Sequence, residues 1–308
     1  MVIIGNSIDG FRLEGPDCRG WLEAELRRAE AMGLQAVEVH PESMEAVRNG
    51  RLEEKIAEEV ADVLGAFDLK VSVHVPVAIN LMHPEDGPLH LEALRASLQF
   101  SEAVGAGVFV YHPGRFIDEE GLELRIPGIP EERQLKALEE EANAVRQLAD
   151  EFPRITIGME NGCPYRGGKP YTYSEHIDLL KRQVLAIDRD NVRITLDIGH
   201  LYIASRLYGF DCAEAVKDIV PLIAHTHVHD NFGRPKYYFQ RHDKSLVPFG
   251  MGDAHMPVGT GMIPVRDILA AYAGTYRGMY TMELAGRYYD YAAASRKSLA
   301  AILADLSN

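Results

Sequence analysis

The chain of 308 residues predicts an α/β protein made of a single (β/α)8 TIM barrel that spans residues 1–308. Short apolar runs rich in Val and Ile recur along the chain, segments of helical period separate them, and the length suits one closed barrel. An open doubly wound sheet is the competing architecture. No G-x-G-x-x-G motif follows the first strand, however, so the dinucleotide-binding form of that sheet is unsupported.

Eight predicted strands alternate with eight predicted helices. In the first helix Trp21, Leu22 and Leu26 share one face, while Arg27 and Arg28 take the other. The predicted strands are 2–5, 36–39, 71–75, 108–111, 155–159, 193–197, 223–228 and 279–284. The predicted helices are 19–32, 51–66, 88–104, 131–150, 174–187, 211–220, 264–274 and 290–306.

Charge and cysteine content narrow the functional classes. The 46 acidic residues outnumber the 32 Lys and Arg, and the net charge of −14 disfavours nucleic acid and other polyanions as partners. Three widely spaced cysteines without a C-x-x-C pair indicate reduced thiols. The N-terminus has no basic segment typical of a signal peptide, and no apolar run approaches the roughly 18 residues of a membrane span. We therefore expect a cytoplasmic protein with no membrane segment.

Metal-ligating residue types stand at the carboxyl ends of the later predicted strands, which a barrel brings to one mouth. Asp253 and His255 follow in the loop after the seventh strand. Neutral imidazole and ionised carboxylate are the donors that Zn or Mn requires. The strand-end residues are His74, His112, Glu160, Asp197, His227 and Glu283.

Each of these residues has a simpler interpretation, which the set as a whole disfavours. A lone strand-end His is more often a hydrogen-bonded structural residue, and an Asp or Glu beside Gly can cap the next helix. Asp197-x-x-His200 alone is weak evidence. Asp253-x-His255 is better evidence if the segment is extended, because a spacing of two then aims both side chains the same way. Independent capping would not place such residues at the same end of six consecutive strands, so we predict a divalent metal site.

The seventh strand leaves one ambiguity open. His225, His227 and His229 share parity, so all three should point into the barrel, although at most one or two can reach a common metal. His225 lies deeper and is predicted to be a barrel-core residue. His229 is predicted to bind substrate.

Five motifs spread over the chain resemble those of a known superfamily. They are Tyr-His-Pro-Gly (111–114), Met-Glu-Asn (159–161), Leu-Asp-Ile-Gly-His (196–200), His-Val-His-Asp-Asn (227–231) and Asp-Ala-His-Met-Pro-Val-Gly-Thr-Gly-Met-Ile (253–263). The chain resembles the xylose-isomerase-like barrels, which include the sugar phosphate isomerases/epimerases and endonuclease IV. The resemblance extends from the first strand to the eighth.

The resemblance implies one of two metal sites. Similarity to endonuclease IV implies three ions, and similarity to the epimerases implies one ion, held by four residues that both arrangements share. In the epimerase arrangement, Glu160 and Glu283 also move protons. The three implied sets are His74, His112 and Glu160; Glu160, Asp197, His227 and Glu283; and His200, Asp253 and His255.

The first functional hypothesis is a metal-dependent isomerase or epimerase that acts on a small sugar or sugar phosphate. The alternative is an endonuclease IV-like phosphodiesterase that acts on abasic DNA, and a non-catalytic metal-binding barrel is a third class. Departures from the endonucleases favour the first: Ile198-Gly199 replaces their Thr-Cys, and His229 stands where they have Asn. His200 is predicted to contact a substrate oxygen. One to three Zn or Mn ions and a homo-oligomer are compatible with the sequence.

Two long predicted loops, 113–130 and 231–252, are candidates for functional loops. The second has four Arg or Lys residues and a single acidic one before Asp253. A surface loop can be basic by chance. Its place at the mouth nevertheless predicts a lid in which Arg234 and Arg241 bind a phosphate or carboxylate of an anionic substrate.

Overall fold

Eight parallel strands close into a barrel in the computed structural model, which describes residues 2–8, 18–125, 127–238 and 243–307. Each strand pairs with the next along the chain, and the last pairs with the first, with Ile3 opposite Met279. The prediction of a single (β/α)8 barrel is confirmed. The strands are β1 (Ile3–Ile8), β2 (Ala36–Val39), β3 (Lys70–His74), β4 (Val108–Tyr111), β5 (Thr156–Glu160), β6 (Val192–Asp197), β7 (Ile223–Val228) and β8 (Met279–Met282).

Helices surround the barrel and cover its outer face. Apolar residues on the longer ones, such as Leu22 and Leu26, pack against Val and Ile side chains of the strands, which explains why the strands read as nearly continuous apolar runs. The helices within the described residues are α1 (Cys18–Ala31), α2 (Glu54–Leu64), α3 (Gly87–Ala103), α4 (Glu119–Leu124), α5 (Glu131–Glu151), α6 (Ile177–Ile187), α7 (Ile198–Tyr208), α8 (Cys212–Lys217), α9 (Asp243–Leu246), α10 (Val265–Ala270) and α11 (Ala292–Asp305).

Local sequence signals account for several helix boundaries. Asp118 accepts a hydrogen bond from the Gly121 N–H at the start of α4, and Asp211 does the same for Glu214 at the start of α8. Helix α7 ends at Gly209, whose left-handed backbone (φ 77°) suits glycine. Asp118 and Asp211 therefore set where helices begin, and Gly209 sets where one ends.

The interior of the barrel is polar beneath its mouth. Glu38, Ser72, Thr195, His225 and Thr281 are all fully buried there. An interior filled with branched apolar side chains is the usual arrangement of this fold. The polar interior therefore needs an explanation, which the site at the mouth supplies.

Several predicted boundaries are wrong. Helix α7 was not predicted, because it follows β6 with no intervening loop and its apolar residues continue the strand pattern. Helix α4 was assigned to the loop 113–130. The predicted helix 51–66 begins only at Glu54, since residues 51–52 pair with 47–48 as a short antiparallel hairpin. Strand β8 ends at Met282, which places Glu283 one residue beyond it.

Among the residues that the structure describes, none of the helices has both the length and the apolar character needed to span a membrane.

Candidate metal centre

A cavity of about 1020 Å³ opens at the carboxyl ends of the strands. Seven of the nine predicted metal ligands line it directly, and Asp197 and His227 lie buried against the residues that do. The sequence-predicted residues therefore converge in one place, as the barrel topology requires. The seven are His74, His112, Glu160, His200, Asp253, His255 and Glu283.

The central cluster consists of Glu160, Asp197, His227 and Glu283. One ligand atom from each can be chosen so that all four lie within 4.8 Å of one another. His227 Nδ1 is the common point: it lies 2.8 Å from Glu160 Oε1, 3.4 Å from Glu283 Oε2 and 3.8 Å from Asp197 Oδ2. Three carboxylates and one imidazole thus face a single point at the floor of the cavity.

Neighbouring charges set the ionisation of Glu160 and His227 in the central cluster. Burial raises the pKa of Glu160, but the charges of His227 and His112 outweigh burial and hold that pKa well below its usual range. Burial likewise lowers the pKa of His227, but the charges of Glu38 and Glu283 raise it well above 6.5. Glu160 is therefore charged, and the imidazole proton of His227 that faces it occupies a place that a cation can take.

The outer cluster consists of His200, His229, Asp253 and His255, whose ligand atoms also lie within 4.8 Å of one another. Asp253 Oδ2 lies 2.9 Å from His200 Nε2 and 2.7 Å from His255 Nε2. Burial raises the pKa of Asp253, yet the charges of His255 and His229 hold it well below its usual range. His229, for which substrate binding stays a prediction, lies 3.0 Å from Asp197 Oδ2 through Nε2 and so connects the two clusters.

His74 and His112 approach Glu160 from β3 and β4. Their Nε2 atoms are 3.2 Å apart, and they lie 3.7 Å and 2.8 Å from Glu160 Oε2 respectively. Burial lowers the pKa of His74, but Glu160 outweighs burial and raises that pKa to about 9. For His112 burial dominates, and its pKa stays below 6.5. Glu160 thus faces the central cluster with one oxygen and the two histidines with the other.

Three imidazoles of the site are held in one orientation by backbone carbonyls. Nδ1 of His74 donates to the Val75 carbonyl (2.8 Å), and Nδ1 of His255 donates to the Glu283 carbonyl (2.9 Å). Nδ1 of His200 donates in the same way to the Asn161 carbonyl at 2.8 Å. Because a carbonyl can only accept, Nε2 of each ring is left to face the cavity, as in a metal-binding histidine.

Asp197 serves both the site and the fold. Its Oδ1 accepts the His200 N–H at 2.7 Å and thereby begins α7. The capping role that we set against metal binding is therefore real, but it occupies only one carboxylate oxygen. The Asn161 side chain holds the Asp197 backbone through two hydrogen bonds of 2.9 Å. Asn161 Oδ1 accepts the Asp197 N–H, and Asn161 Nδ2 donates to the Asp197 carbonyl.

Asp230 ties the loop that carries Asp253 and His255 to the end of β7. Its buried carboxylate accepts hydrogen bonds from four backbone N–H groups, those of Asn231, Gly259, Gly261 and Ile263. The reason given for expecting Asp253 and His255 to converge is wrong, because His255 adopts a left-handed backbone (φ 42°) and the segment is not extended there.

The donor set fits a divalent metal. It combines buried carboxylates with imidazoles whose free nitrogen faces them. Within the described part of the chain, the buried atoms of the two clusters that have no hydrogen-bond partner of good geometry include Glu160 Oε2, His227 Nε2, His229 Nδ1 and Asp253 Oδ1. Buried polar atoms are rarely left so, and bound cations are one way in which they are satisfied.

Two residues of the site were missed. Glu38, buried under His227, contacts Nε2 of that ring at 3.0 Å, and its signal was a charged residue inside the apolar strand Ala36–Val39. His40 follows the same strand and stacks on His74, with ring centroids 4.8 Å apart. Its Nε2 forms a hydrogen bond of 2.9 Å with Ser7 Oγ. The strand-end rule that identified His74 applies equally to His40.

Of the two predicted substrate-binding arginines, the structure describes only Arg234, which does not line the cavity. Arg234 donates through Nη1 to the Phe249 carbonyl at 3.0 Å and is exposed. Arg241 lies outside the residues that the structure describes. Lys236 and Tyr238, from the same loop, do line the cavity.

Comparison with known proteins agrees with the fold. A search of curated proteins gives no match. A solved D-tagatose 3-epimerase-like protein is 20% identical, with 99% of this chain and 98% of that one covered and a TM-score of 0.68. A xylose isomerase domain protein from Alicyclobacillus acidocaldarius subsp. acidocaldarius is 18% identical over the full length of both chains, with a TM-score of 0.67. A 3-keto-D-glucoside 4-epimerase from E. coli is 18% identical, with coverages of 98% and 99% and a TM-score of 0.65.

The sequence profile described as xylose isomerase-like TIM barrel matches residues 26–304, nearly the whole chain. The match includes every residue of the central and outer clusters. The chain belongs to the xylose isomerase-like TIM barrel family.

Proposed function

We propose that this chain is a divalent-metal-dependent isomerase or epimerase of a small sugar or a related hydroxycarbonyl compound. The observation that carries the proposal is the central cluster, in which three carboxylates and His227 Nδ1 surround one point at the floor of a cavity. The epimerases among the similar structures support the substrate class.

Glu160, Asp197, His227 and Glu283 would hold the ion, either Zn or Mn. Such an ion polarises a substrate carbonyl and stabilises the negative charge that develops on it. The outer cluster and the pair His74 and His112 offer donors for further ions, so the proposal covers one to three.

Glu160 and Glu283 have the positions of a proton-transfer pair. They come from β5 and from the end of β8, and both contact His227 Nδ1. We propose that the carboxylate of one takes the proton from the carbon next to the substrate carbonyl. The electron pair of that C–H bond moves into an enediolate, and the other glutamate, carrying a proton, returns one to carbon from the opposite face.

Solvent exchange tests this function. The metal-reconstituted protein is incubated in D2O with a panel of ketopentoses, ketohexoses and their phosphates, and products are read by NMR and mass spectrometry. We expect deuterium at the carbon next to the carbonyl of one substrate, together with an epimer or isomer of it. Chelator-stripped protein is the control. Absence of exchange and product across the panel contradicts the proposal.

One observation favours a second candidate, the phosphodiesterase that the resemblance to endonuclease IV implies. All nine residues of a three-ion set lie at the mouth, and the outer cluster is complete. The net charge of −14 opposes binding to a DNA duplex. Cleavage of an abasic-site oligonucleotide, with no exchange into any sugar, would favour this candidate.

A further inference from the structure

We infer that Glu38 is a positioning residue that holds His227 with its Nδ1 toward the central cluster. The inference rests on the proposed function, because it concerns the affinity of the metal that the central cluster would hold. It adds a residue from β2 that no motif of the sequence indicated.

Glu38 is fully buried inside the barrel, one layer below the central cluster. Oε2 accepts a hydrogen bond from Ser72 Oγ at 2.9 Å and lies 3.0 Å from His225 Nε2. Oε1 lies 3.0 Å from His227 Nε2. Three side chains from β3 and β7 therefore fix both oxygens of this carboxylate.

The contact between Glu38 and His227 joins two buried polar atoms that lack other hydrogen-bond partners in the described residues. Neither Glu38 Oε1 nor His227 Nε2 has a hydrogen-bond partner of good geometry in the described residues, although the two are within hydrogen-bond distance of each other. A carboxylate buried without such a partner costs several kcal/mol. The 3.0 Å contact is therefore where these two groups can satisfy each other, through a proton on Nε2.

A proton on Nε2 leaves the lone pair of a neutral imidazole on Nδ1. This is the atom that faces Glu160 at 2.8 Å and Glu283 at 3.4 Å. His74, His200 and His255 face the cavity with the opposite nitrogen, and each is held there by a backbone carbonyl. Glu38 orients the His227 ring as those carbonyls orient the other rings, except that it contacts Nε2 and leaves Nδ1 toward the cluster.

A competing interpretation is that Glu38, His225 and His227 form a cation site of their own, since their ligand atoms also lie within 4.8 Å of one another. Ser72 and His225 already contact Oε2, however, and a proton on His227 Nε2, directed at Oε1, would leave that nitrogen no lone pair for an ion. The two interpretations differ in what a substitution changes: a positioning residue alters affinity, whereas a ligand removes one bound ion.

The test uses Co²⁺ as the probe, with affinity measured by chelator competition and geometry read from its visible absorption spectrum. Glu38→Gln removes the charge at nearly constant volume. We expect its Co²⁺ dissociation constant to rise about 10- to 100-fold with unchanged stoichiometry and an altered spectrum, as for other groups that orient metal-binding histidines. Glu141→Gln is the matched control, since Glu141 is an equally buried, hydrogen-bonded carboxylate outside both clusters.

Wild-type affinity and spectrum in folded Glu38→Gln would overturn the inference, and so would the loss of one whole bound ion. If that variant does not fold, Ser72→Ala decides, because it removes only one donor to Glu38. An increase of about threefold or more in the dissociation constant supports the inference, and no change overturns it. Failure of the wild-type protein to bind Co²⁺ would instead contradict the proposed function itself.

Discussion

Gly199 lies directly against the imidazole of His229, so closely that a β-carbon at position 199 would overlap the ring. Gly199 is in the first turn of α7, and His229 reaches past it to place Nε2 3.0 Å from Asp197 Oδ2. The missing side chain is therefore what allows His229 to join the central and outer clusters.

Gly199→Ala should displace the His229 ring and weaken metal binding at the outer cluster. Overpacking of this kind costs about 1–3 kcal/mol in the free energy of unfolding, which urea titration measures. Gly274→Ala is the control, because nothing lies near a β-carbon at that exposed position. Wild-type stability and metal content in Gly199→Ala would show that the ring is not confined there.

Glu160→Gln and Glu283→Gln should each lower kcat by about 10²- to 10⁴-fold on the identified substrate, with a smaller effect on substrate affinity measured by equilibrium binding. Each change removes a proton-transfer group as well as a charge. Glu140→Gln, on the exposed face of α5, is the control. If both site variants keep more than a tenth of the wild-type rate, neither glutamate transfers a proton.

Metal uptake at pH 7 should release protons. In the metal-free protein, burial lowers the pKa values of His74 and His255, but neighbouring carboxylates outweigh burial. They raise the pKa of His74 to about 9 and that of His255 to about 10. Both imidazoles are therefore protonated at neutral pH and must lose the proton to bind an ion. Calorimetry in buffers of different ionisation enthalpy counts the protons, and affinity should rise with pH up to about 9. An affinity independent of pH between 6 and 9 would contradict this.

Asp230→Ala should cost about 3 kcal/mol or more in the free energy of unfolding, since it leaves four backbone N–H groups without their acceptor. Because those groups fix the loop that carries Asp253 and His255, metal affinity should fall as well. Asp305→Ala removes an exposed carboxylate and should change neither quantity. Urea unfolding and chelator competition measure the two effects, and an unaltered affinity would show that the loop keeps its shape without Asp230.

Glu141 should make the protein less stable as pH rises. Burial raises its pKa above the usual 4.5, although hydrogen bonds from Tyr173 and Gly114 oppose the shift. A carboxyl with a raised folded-state pKa contributes its full stability below the unfolded pKa and loses it as pH increases through the folded value. Wild type should therefore lose stability relative to Glu141→Gln between pH 4 and pH 8. A constant difference across that range would refute the assignment.

The sequence was sufficient to predict the eight strands and the convergence at their carboxyl ends, because apolar runs and strand-end positions are local features. It could not predict the partnership of Glu38 with His225, since those residues are 187 positions apart and meet only when the barrel closes. The left-handed backbone of His255 has no local signal of comparable strength. Arg234 was predicted to bind substrate from its charge and from the place of its loop at the mouth, and neither feature indicates that its guanidinium donates to the Phe249 carbonyl.

The direct junction of β6 and α7 bears on how this molecule can change over evolution. Asp197 ends the strand, caps the helix and faces the central cluster, so an inserted residue at this point would separate its roles and displace His200. The predicted metal ligands all lie outside the segment 231–252, and Asp230 anchors the chain at one end of it and also fixes residues 259–263 beyond the other. Length changes there would reshape the cavity wall at Lys236 and leave the metal-ligating groups in place. New substrate preferences should therefore arise by insertion after β7, whereas the β6 junction should keep its length.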